Sequence, residues 1–352
     1  MAQHVIKFNT RSEYEEQKNN LIGPYIVLID DEDAVIYSDS VSETTPSSLG
    51  IHYTGHADVE GLRAIGWTDE DIEYFQKNGV DWNEEDDDLY KVTDDNKSLY
   101  GVLTASNIAT YKERIVYLPK IDTSAVTNMG NMFSGCYNLI AIPYIETKNV
   151  TDMGNMFSGC RALRAIPKLN TGSVTNMMGV FSGCASLLTI PSLDTHSATS
   201  MAGMFNSCTS LLSVPSLDTT SVTRSGNMFN ACARLRHVGN LSLNLNTTFS
   251  SMFTGCNSLI SIPLLDVKSA TTISNMFSGC YAIKELNIKN LNTSLSFSNS
   301  PFLSKESLLY MINNEAATSA ITITLSALAK TRLQNDADVK AALSNHPLIT
   351  LA

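Results

Sequence analysis

The sequence predicts an α/β solenoid: a stack of 24-residue coils, each holding a short strand and a short helix, preceded by a small α+β module and followed by an α/β cap. Three observations carry this. All seven cysteines, Cys136, Cys160, Cys184, Cys208, Cys232, Cys256 and Cys280, lie 24 residues apart. Other columns keep the same step, among them Phe133, Phe157, Phe181, Phe205, Phe229, Phe253 and Phe277, three residues before each cysteine. The net charge of -11 is also uneven: residues 1–112 hold 23 acidic and 8 basic side chains, whereas residues 113–352 hold 12 and 16. The first balance is -15 and the second +4, which marks two parts with different jobs.

The repeat unit reads Leu-x-x-Ile-Pro-x-Leu-Asp-Thr-x-x-Val-Thr-Asn-Met-x-x-Met-Phe-x-Gly-Cys. Its period falls in the range of leucine-rich repeats, about 20–29 residues. Leu139, Leu163, Leu187, Leu211, Leu235, Leu259 and Ile283 form one apolar column, and Ile142, Ile166, Ile190, Val214, Val238, Ile262 and Leu286 another. These belong to the strand side. Proline has no N–H for a sheet ladder, so the column Pro119, Pro143, Pro167, Pro191, Pro215 and Pro263, broken by Gly239, should end each strand early. The threonine column that begins at Thr127 stands where a helix N-cap would. Met129, Met132 and Phe133 at i, i+3, i+4 predict one face of a short helix, which Gly135, Gly159, Gly183, Gly255 and Gly279 should stop. No coil can bury its apolar side alone, and stacking creates the core. At ~4.8 Å per coil, seven coils give a sheet of roughly 34 Å.

At Val126–Cys136 the resemblance becomes specific: the chain resembles the BspA-like leucine-rich repeats of bacterial surface proteins, in a Met-Phe-x-x-Cys and Ile-Pro-x-Leu-Asp-Thr variant, over residues 113–298. That resemblance implies surface display, adhesion, and protein or glycan binding. Together with the acidic N-terminal module, the segment 300–314 resembles virion proteins of phages that infect gut bacteria. The stretches 224–249 and 287–297 depart from the pattern at Arg224, Ser225, Asn246 and Leu291, so irregular coils are expected there.

The ends read differently. Val5–Phe8, Tyr25–Ile29 and Ala34–Tyr37 are strand candidates, with a capping-box helix from Thr10 to about Asn20. Residues 39–50 form a linker. Ala57–Ile65 is helical, and Thr68 caps a second helix through Glu73, with Gly79 as its stop. After the array, 303–316 and 327–344 are helical, and 321–325 and 348–351 are strands. Residues 299–352 are expected to close the apolar end of the stack.

Little of the sequence suggests chemistry. Seven thiols in parallel columns suit a buried, reduced core better than a disulfide ladder. Asp81–Asp88 is dense in carboxylates but has no glycine turn at calcium-loop spacing, which fits a solvated acidic face. His52, His56 and Asp58 sit around Gly55, which argues against a helical metal motif. No nucleophile elbow, phosphate loop or dinucleotide fingerprint is present, so no catalytic residue and no cofactor is assigned. The basic excess of the array is too slight for nucleic acid, and no apolar run reaches ~18 residues, so membrane insertion is not expected. The chain as given starts without the basic and apolar stretches of a secretion signal, which favours a virion protein made in a host cytoplasm over a secreted adhesin.

Function is therefore sought on the outer columns of the array. Tyr137, Tyr144, Arg161, Arg164, Lys168, Arg234, Arg236, His237 and Tyr281 occupy non-core positions, and aromatic and arginine side chains are the usual interface anchors. The expectation is a non-enzymatic interaction protein, with a homo-oligomer as one form of its assembly. Residues 1–112 would dock to a larger assembly while the array recognises a host-surface glycan or protein. A spacer without a ligand is the alternative.

Overall fold

The computed structural model describes residues 105–352 without a break, residues 63 and 67–72, and the backbone of three strands near the N-terminus. The chain forms two compact units, Met1–Val102 and Leu103–Ala352. In the first, β1 (His4–Phe8) pairs in parallel with β2 (Tyr25–Ile29), which pairs antiparallel with β3 (Ala34–Ser38), at the positions expected from the alternating pattern. Thr68 does cap a helix: its hydroxyl accepts from the Asp71 N–H at 3.2 Å, and the Asp71 carboxylate accepts from the Thr68 N–H at 2.9 Å. The helix expected over 10–20, the acidic run 81–88 and the His52, His56, Asp58 group lie outside the described residues.

The second unit is a stack of coils in parallel register. Asn128, Asp152, Asn176, Ser200, Arg224, Thr248 and Thr272 are joined in turn by parallel bridges. On the other side of each coil the N–H of Arg164 donates to Ile140, that of Leu188 to Arg164, that of Leu212 to Leu188 and that of Arg236 to Leu212. Strands here are short, as proline requires: β4 (Ser213–Val214) ends immediately before Pro215 and pairs with β5 (His237–Val238). Further on, β6 (Leu265–Asp266) pairs with β7 (Ile288–Lys289). Gly239 breaks the proline column for two reasons. Its N–H donates to the Val214 carbonyl at 2.8 Å, which proline could not do. A β-carbon there would also lie 2.2 Å from the Ser216 nitrogen.

The helix expected in every coil is not there. The segment after Met129 is a run of tight turns in which alternate N–H groups point to different partners. Met129, Asn131, Phe133 and Gly135 donate to carbonyls of the next coil, Asp152, Gly154, Met156 and Ser158, at 2.7 to 2.9 Å. Met132, Ser134 and Cys136 instead donate three residues back. Two backbone columns enforce this. Asn131, Asn155, Gly179, Gly203, Asn227, Ser251 and Asn275 all have φ between 55° and 63°, and the Gly135 column, including Ser207 and Ala231, has φ between 59° and 79°. A left-handed residue interrupts an α-helix, and outside glycine and asparagine it costs about 1–2 kcal/mol. The glycines are thus part of a turn, not the stop of a helix. The Thr127 column caps nothing either; each hydroxyl bonds the previous threonine's carbonyl, as in Thr151 to Thr127 at 3.3 Å, forming an exposed ladder.

The core lies between these two sides. The phenylalanine column is a continuous stack, with centroids 5.2 to 5.8 Å apart from Phe133 to Phe277 and on to Phe297. All seven cysteines are free and buried. Each from Cys160 onward also donates its thiol to the phenylalanine carbonyl of the preceding coil, for example Cys208 Sγ to Phe181 at 3.0 Å. That carbonyl already accepts from the cysteine N–H of its own coil, so the thiol fills its second lone pair. The expected irregularity at 224–249 is absorbed without a break. Ser225 is buried in a methionine position and bonds the Thr248 carbonyl at 3.3 Å, while Phe249 stands one coil on in the same column. Asn246 is buried in a valine position with Oδ1 unpartnered.

Beyond the last cysteine the coil length changes. β8 (Leu295–Phe297) pairs in parallel with β9 (Ile321–Leu325), and β9 with β10 (Ile349–Leu351). Leu295 pairs with Ile323 and Ile323 with Leu351, two equal steps of 28 residues. Phe297 and Leu325 carry the buried columns forward. The longer steps hold the true helices, α1 (Lys305–Asn313), α2 (Ala327–Leu333) and α3 (Ala337–Asn345). Ser304, Ser326 and Asp336 cap them, and Lys305 joins α1 to the start of α3 through Asp336 at 3.1 Å and Asp338 at 2.6 Å. The single helix read over 327–344 is split at Asp336 because that side chain accepts the Asp338 and Val339 N–H groups, starting a new helix. Residues 299–352 thus add two parallel strands to β8, in a three-stranded sheet of their own.

Candidate interaction surface

From each cysteine to the eighth residue after it, the chain alternates between the core and the outside. Positions three and six residues past the cysteine are buried throughout the array, and the positions between them carry the variable side chains. The proposed surface residues fall on four columns. Tyr137, Arg161 and Tyr281 share the position just after the cysteine. Arg234 lies one residue further. Arg164 and Arg236 share the fourth position, and Tyr144 and Lys168 the eighth.

Register brings two groups of them together. The Arg161 charge reaches the Tyr137 phenol, and the Glu113 carboxylate holds the phenol's proton and raises its pKa. Tyr144 and Lys168 are neighbours along the eighth column. Partial burial and the nearby Glu146 carboxylate raise the Tyr144 pKa, and the hydroxyl lies 3.5 Å from that carboxylate. Arg234, Arg236 and His237 form a second group three coils on. Burial and the Arg236 charge lower the His237 pKa and favour its neutral form. Tyr281 stands apart at the far end. Tyr137, Tyr144 and Tyr281 are 39%, 50% and 53% exposed. Arg161, Lys168 and Arg234 are exposed as expected, but Arg164 and Arg236 are only half-buried anchors in the ladder. Their own N–H groups join coils, so they are partly structural.

The next corner carries residues that the sequence reading did not single out. Asp122, Glu146, Asp194, Asp218 and Asp266 each accept the N–H two residues on, an Asx-type turn repeated along the stack. His196 Nδ1 lies 2.7 Å from Asp194, which raises the histidine pKa and lowers that of the carboxyl. The signal was visible as the Asp of the Leu-Asp-Thr motif. The threonine after it is buried and donates to the next coil, as Thr171 does to Asp194 at 2.7 Å. Among the described residues no group of three or more His, Cys, Asp and Glu side chains is placed to hold a metal ion. Among the same residues no helix is long and apolar enough to cross a membrane.

An array of outward-facing variable columns on a uniform core defines a repeat protein of the interaction class. Comparison with known families is specific over part of the chain. Residues 178–308 match the BspA type leucine-rich repeat region, in six copies. Residues 105–215 match a family described as a Mycoplasma protein of unknown function, DUF285. Over the matched region the chain is similar to the BspA-type leucine-rich repeats. Among solved structures it is similar to a leucine-rich-repeat protein of T. pallidum, at 25% identity and a TM-score of 0.38, covering 49% of this chain and 79% of that one. No curated protein matches.

Proposed function

We propose that the protein is a non-enzymatic, adhesin-like interaction protein whose array presents the flank between each cysteine and the eighth residue after it to a surface glycan or protein. The observation that carries this reading is the contrast between columns. The positions facing the core repeat the same few residues in every coil. The outer positions vary and place Tyr137, Tyr144, Arg161, Lys168 and Arg234 in the open. Such side chains anchor interfaces. The BspA-type repeats support the same class of role. The finer reading places the protein on a phage particle, with residues 1–112 docking to the assembly. It rests on the acidic N-terminal balance of -15 and on the segment 300–314.

The test uses the whole protein and its triple variant Tyr137→Ala, Arg161→Ala, Lys168→Ala, with binding to intact bacterial cells measured by flow cytometry. The expected result is loss of binding with stability changed by no more than about 0.5 kcal/mol, as for exposed positions. Unchanged binding would remove this flank from the function. Absence of any binding by the parent protein would favour a spacer without a ligand.

A further inference from the structure

The array separates its charges across the coil. From each cysteine position to the residue eight places on, counted from Lys112 to Asn287, there are nine Lys and Arg and only two Glu. The rest of the array over the same coils holds six acids and three bases. Parallel register turns the two stretches into two sets of columns along the stack, because equivalent positions of successive coils are bridged to one another, and they meet where the Tyr144 hydroxyl lies 3.5 Å from the Glu146 carboxylate. Lys112, Lys120, Arg161, Lys168, Arg234 and Lys284 are all exposed on the first side. The acidic corner column, Asp122 to Asp266, belongs to the second. The bases come in groups, in the coils beginning at 112, 160, 232 and 280, separated by coils without charge on this side. With coils ~4.8 Å apart, neighbouring groups recur roughly every 10–15 Å along the stack. The exposed rings of Tyr137 and Tyr281 lie on the same side as these bases, each one residue past a cysteine.

We infer that the flank from each cysteine to its eighth following residue binds a linear polyanionic polysaccharide laid along the solenoid axis. The inference rests on the proposed interaction role of this flank and names its ligand class. The grouped bases supply the attraction, which a long anion can meet at several points at once. The tyrosines between them supply flat apolar faces with a hydroxyl at the rim, which suit sugar rings better than a peptide carboxylate chain. A weak basic excess spread over both sides would give no such orientation. Concentrating it on one side raises the local potential although the whole chain is acidic.

The test uses the full chain with polygalacturonate and heparin as polyanionic saccharides, dextran as a neutral one and poly-L-glutamate as a peptide polyanion. Both anionic saccharides are expected to bind and dextran not to. Affinity should fall between about 50 and 200 mM salt as screening shortens the reach of the charges. Arg161→Glu with Lys168→Glu should weaken saccharide binding at least about tenfold, a loss of roughly 1.4 kcal/mol. Arg224→Glu, a base on the other side, should leave it unchanged. Tyr137→Ala with Tyr144→Ala should weaken saccharide binding while leaving its salt dependence in place. Failure of both anionic saccharides to bind overturns the inference, as does equal loss in Arg224→Glu. Poly-L-glutamate binding as tightly as the saccharides, unaffected by the tyrosine changes, would assign the flank to acidic peptide. Self-association abolished by the charge reversal would assign it to the acidic residues of a second copy. If the saccharides fail but cell binding persists, the ligand class is wrong and the interaction role stands; if both fail, the role fails too.

Discussion

Raising the pH should unfold this protein through its thiols. Burial pushes all seven thiols up, with Cys136, Cys208 and Cys280 at about 12 and Cys184, Cys232 and Cys256 well above the ordinary value. In the unfolded chain a thiol titrates near 8.5. A folded pKa above the unfolded one contributes stability that is fully present below about pH 8.5 and is lost as pH rises toward the folded value. At pH 10 an unfolded thiol has gained about 2 kcal/mol from deprotonation that the buried thiol cannot share. For the seven cysteines of the array, the total reaches about 14 kcal/mol, the size of a whole domain's stability. Chemical denaturation followed by circular dichroism, from pH 7 to 10.5, should show a steep fall beginning between pH 8.5 and 9. Replacing Cys184, Cys208 and Cys232 by Ala lowers stability at pH 7 but should flatten the slope above pH 9 by about 4 kcal/mol per pH unit, at 1.36 kcal/mol per group. Tyrosine and lysine also titrate near pH 10, but both proteins carry the same ones, so they cancel in that difference. Stability that stays level from pH 8 to 10, or thiols that react rapidly with a disulfide reagent in the native protein, would refute the reasoning.

Other expectations follow from single positions. Gly239→Ala should cost more than about 2 kcal/mol, because the new β-carbon meets backbone atoms of Pro215 and Ser216 that cannot rotate away; a melting temperature unchanged from the parent would contradict the close approach. Asn246→Val should stabilise by about 1–2 kcal/mol, since it removes a buried carbonyl oxygen without a partner at the expense of one bond to Thr248 at 3.0 Å; denaturation midpoints decide the sign. Phe205→Ala should cost about 3–5 kcal/mol and Phe205→Leu distinctly less, since Leu refills part of the space that the ring occupies between Phe181 at 5.6 Å and Phe229 at 5.5 Å; equal losses would mean that the ring contact, not the filled volume, sets the cost.

The solenoid was legible because its period is a property of the chain itself. Cysteine, phenylalanine and leucine columns in one register allow only a stack in which each column becomes a line of contacts, and Phe133 to Phe277 form that line. The local conformation was less legible. Apolar residues at i, i+3, i+4 fit a helix, and Met129 and Phe133 do face the core. A succession of tight turns satisfies the same spacing, however, because each turn also advances three residues. The deciding signal was the column of Asn131, Asn155, Gly179, Gly203, Asn227 and Asn275, residue types that share only a tolerance for positive φ. Two such columns four residues apart are incompatible with a helix, and that was readable without coordinates. At the end the elements were legible but their register was not. The cysteine column stops at Cys280, and Leu295, Ile323 and Leu351 pair at a longer step.

The change of step connects fold and surface. A 24-residue coil turns its outer side with tight turns and so has no room for a helix. Its outer face is close to the backbone, and single side chains such as Tyr137 and Arg161 stand directly on the ladder. The 28-residue steps interpose α1, α2 and α3, where Lys305 pairs with Asp336 and Asp338. Grouped, exposed bases on one flank are thus a feature of the coils from Lys112 to Lys284, ahead of the helix-bearing steps. The Arg164 and Arg236 positions show the limit of that arrangement. On the fourth column the residue is half-buried, and its backbone N–H joins it to the preceding coil. Recognition should accordingly depend most on the first and eighth columns, where Tyr137, Arg161, Tyr144 and Lys168 can change without disturbing the stack.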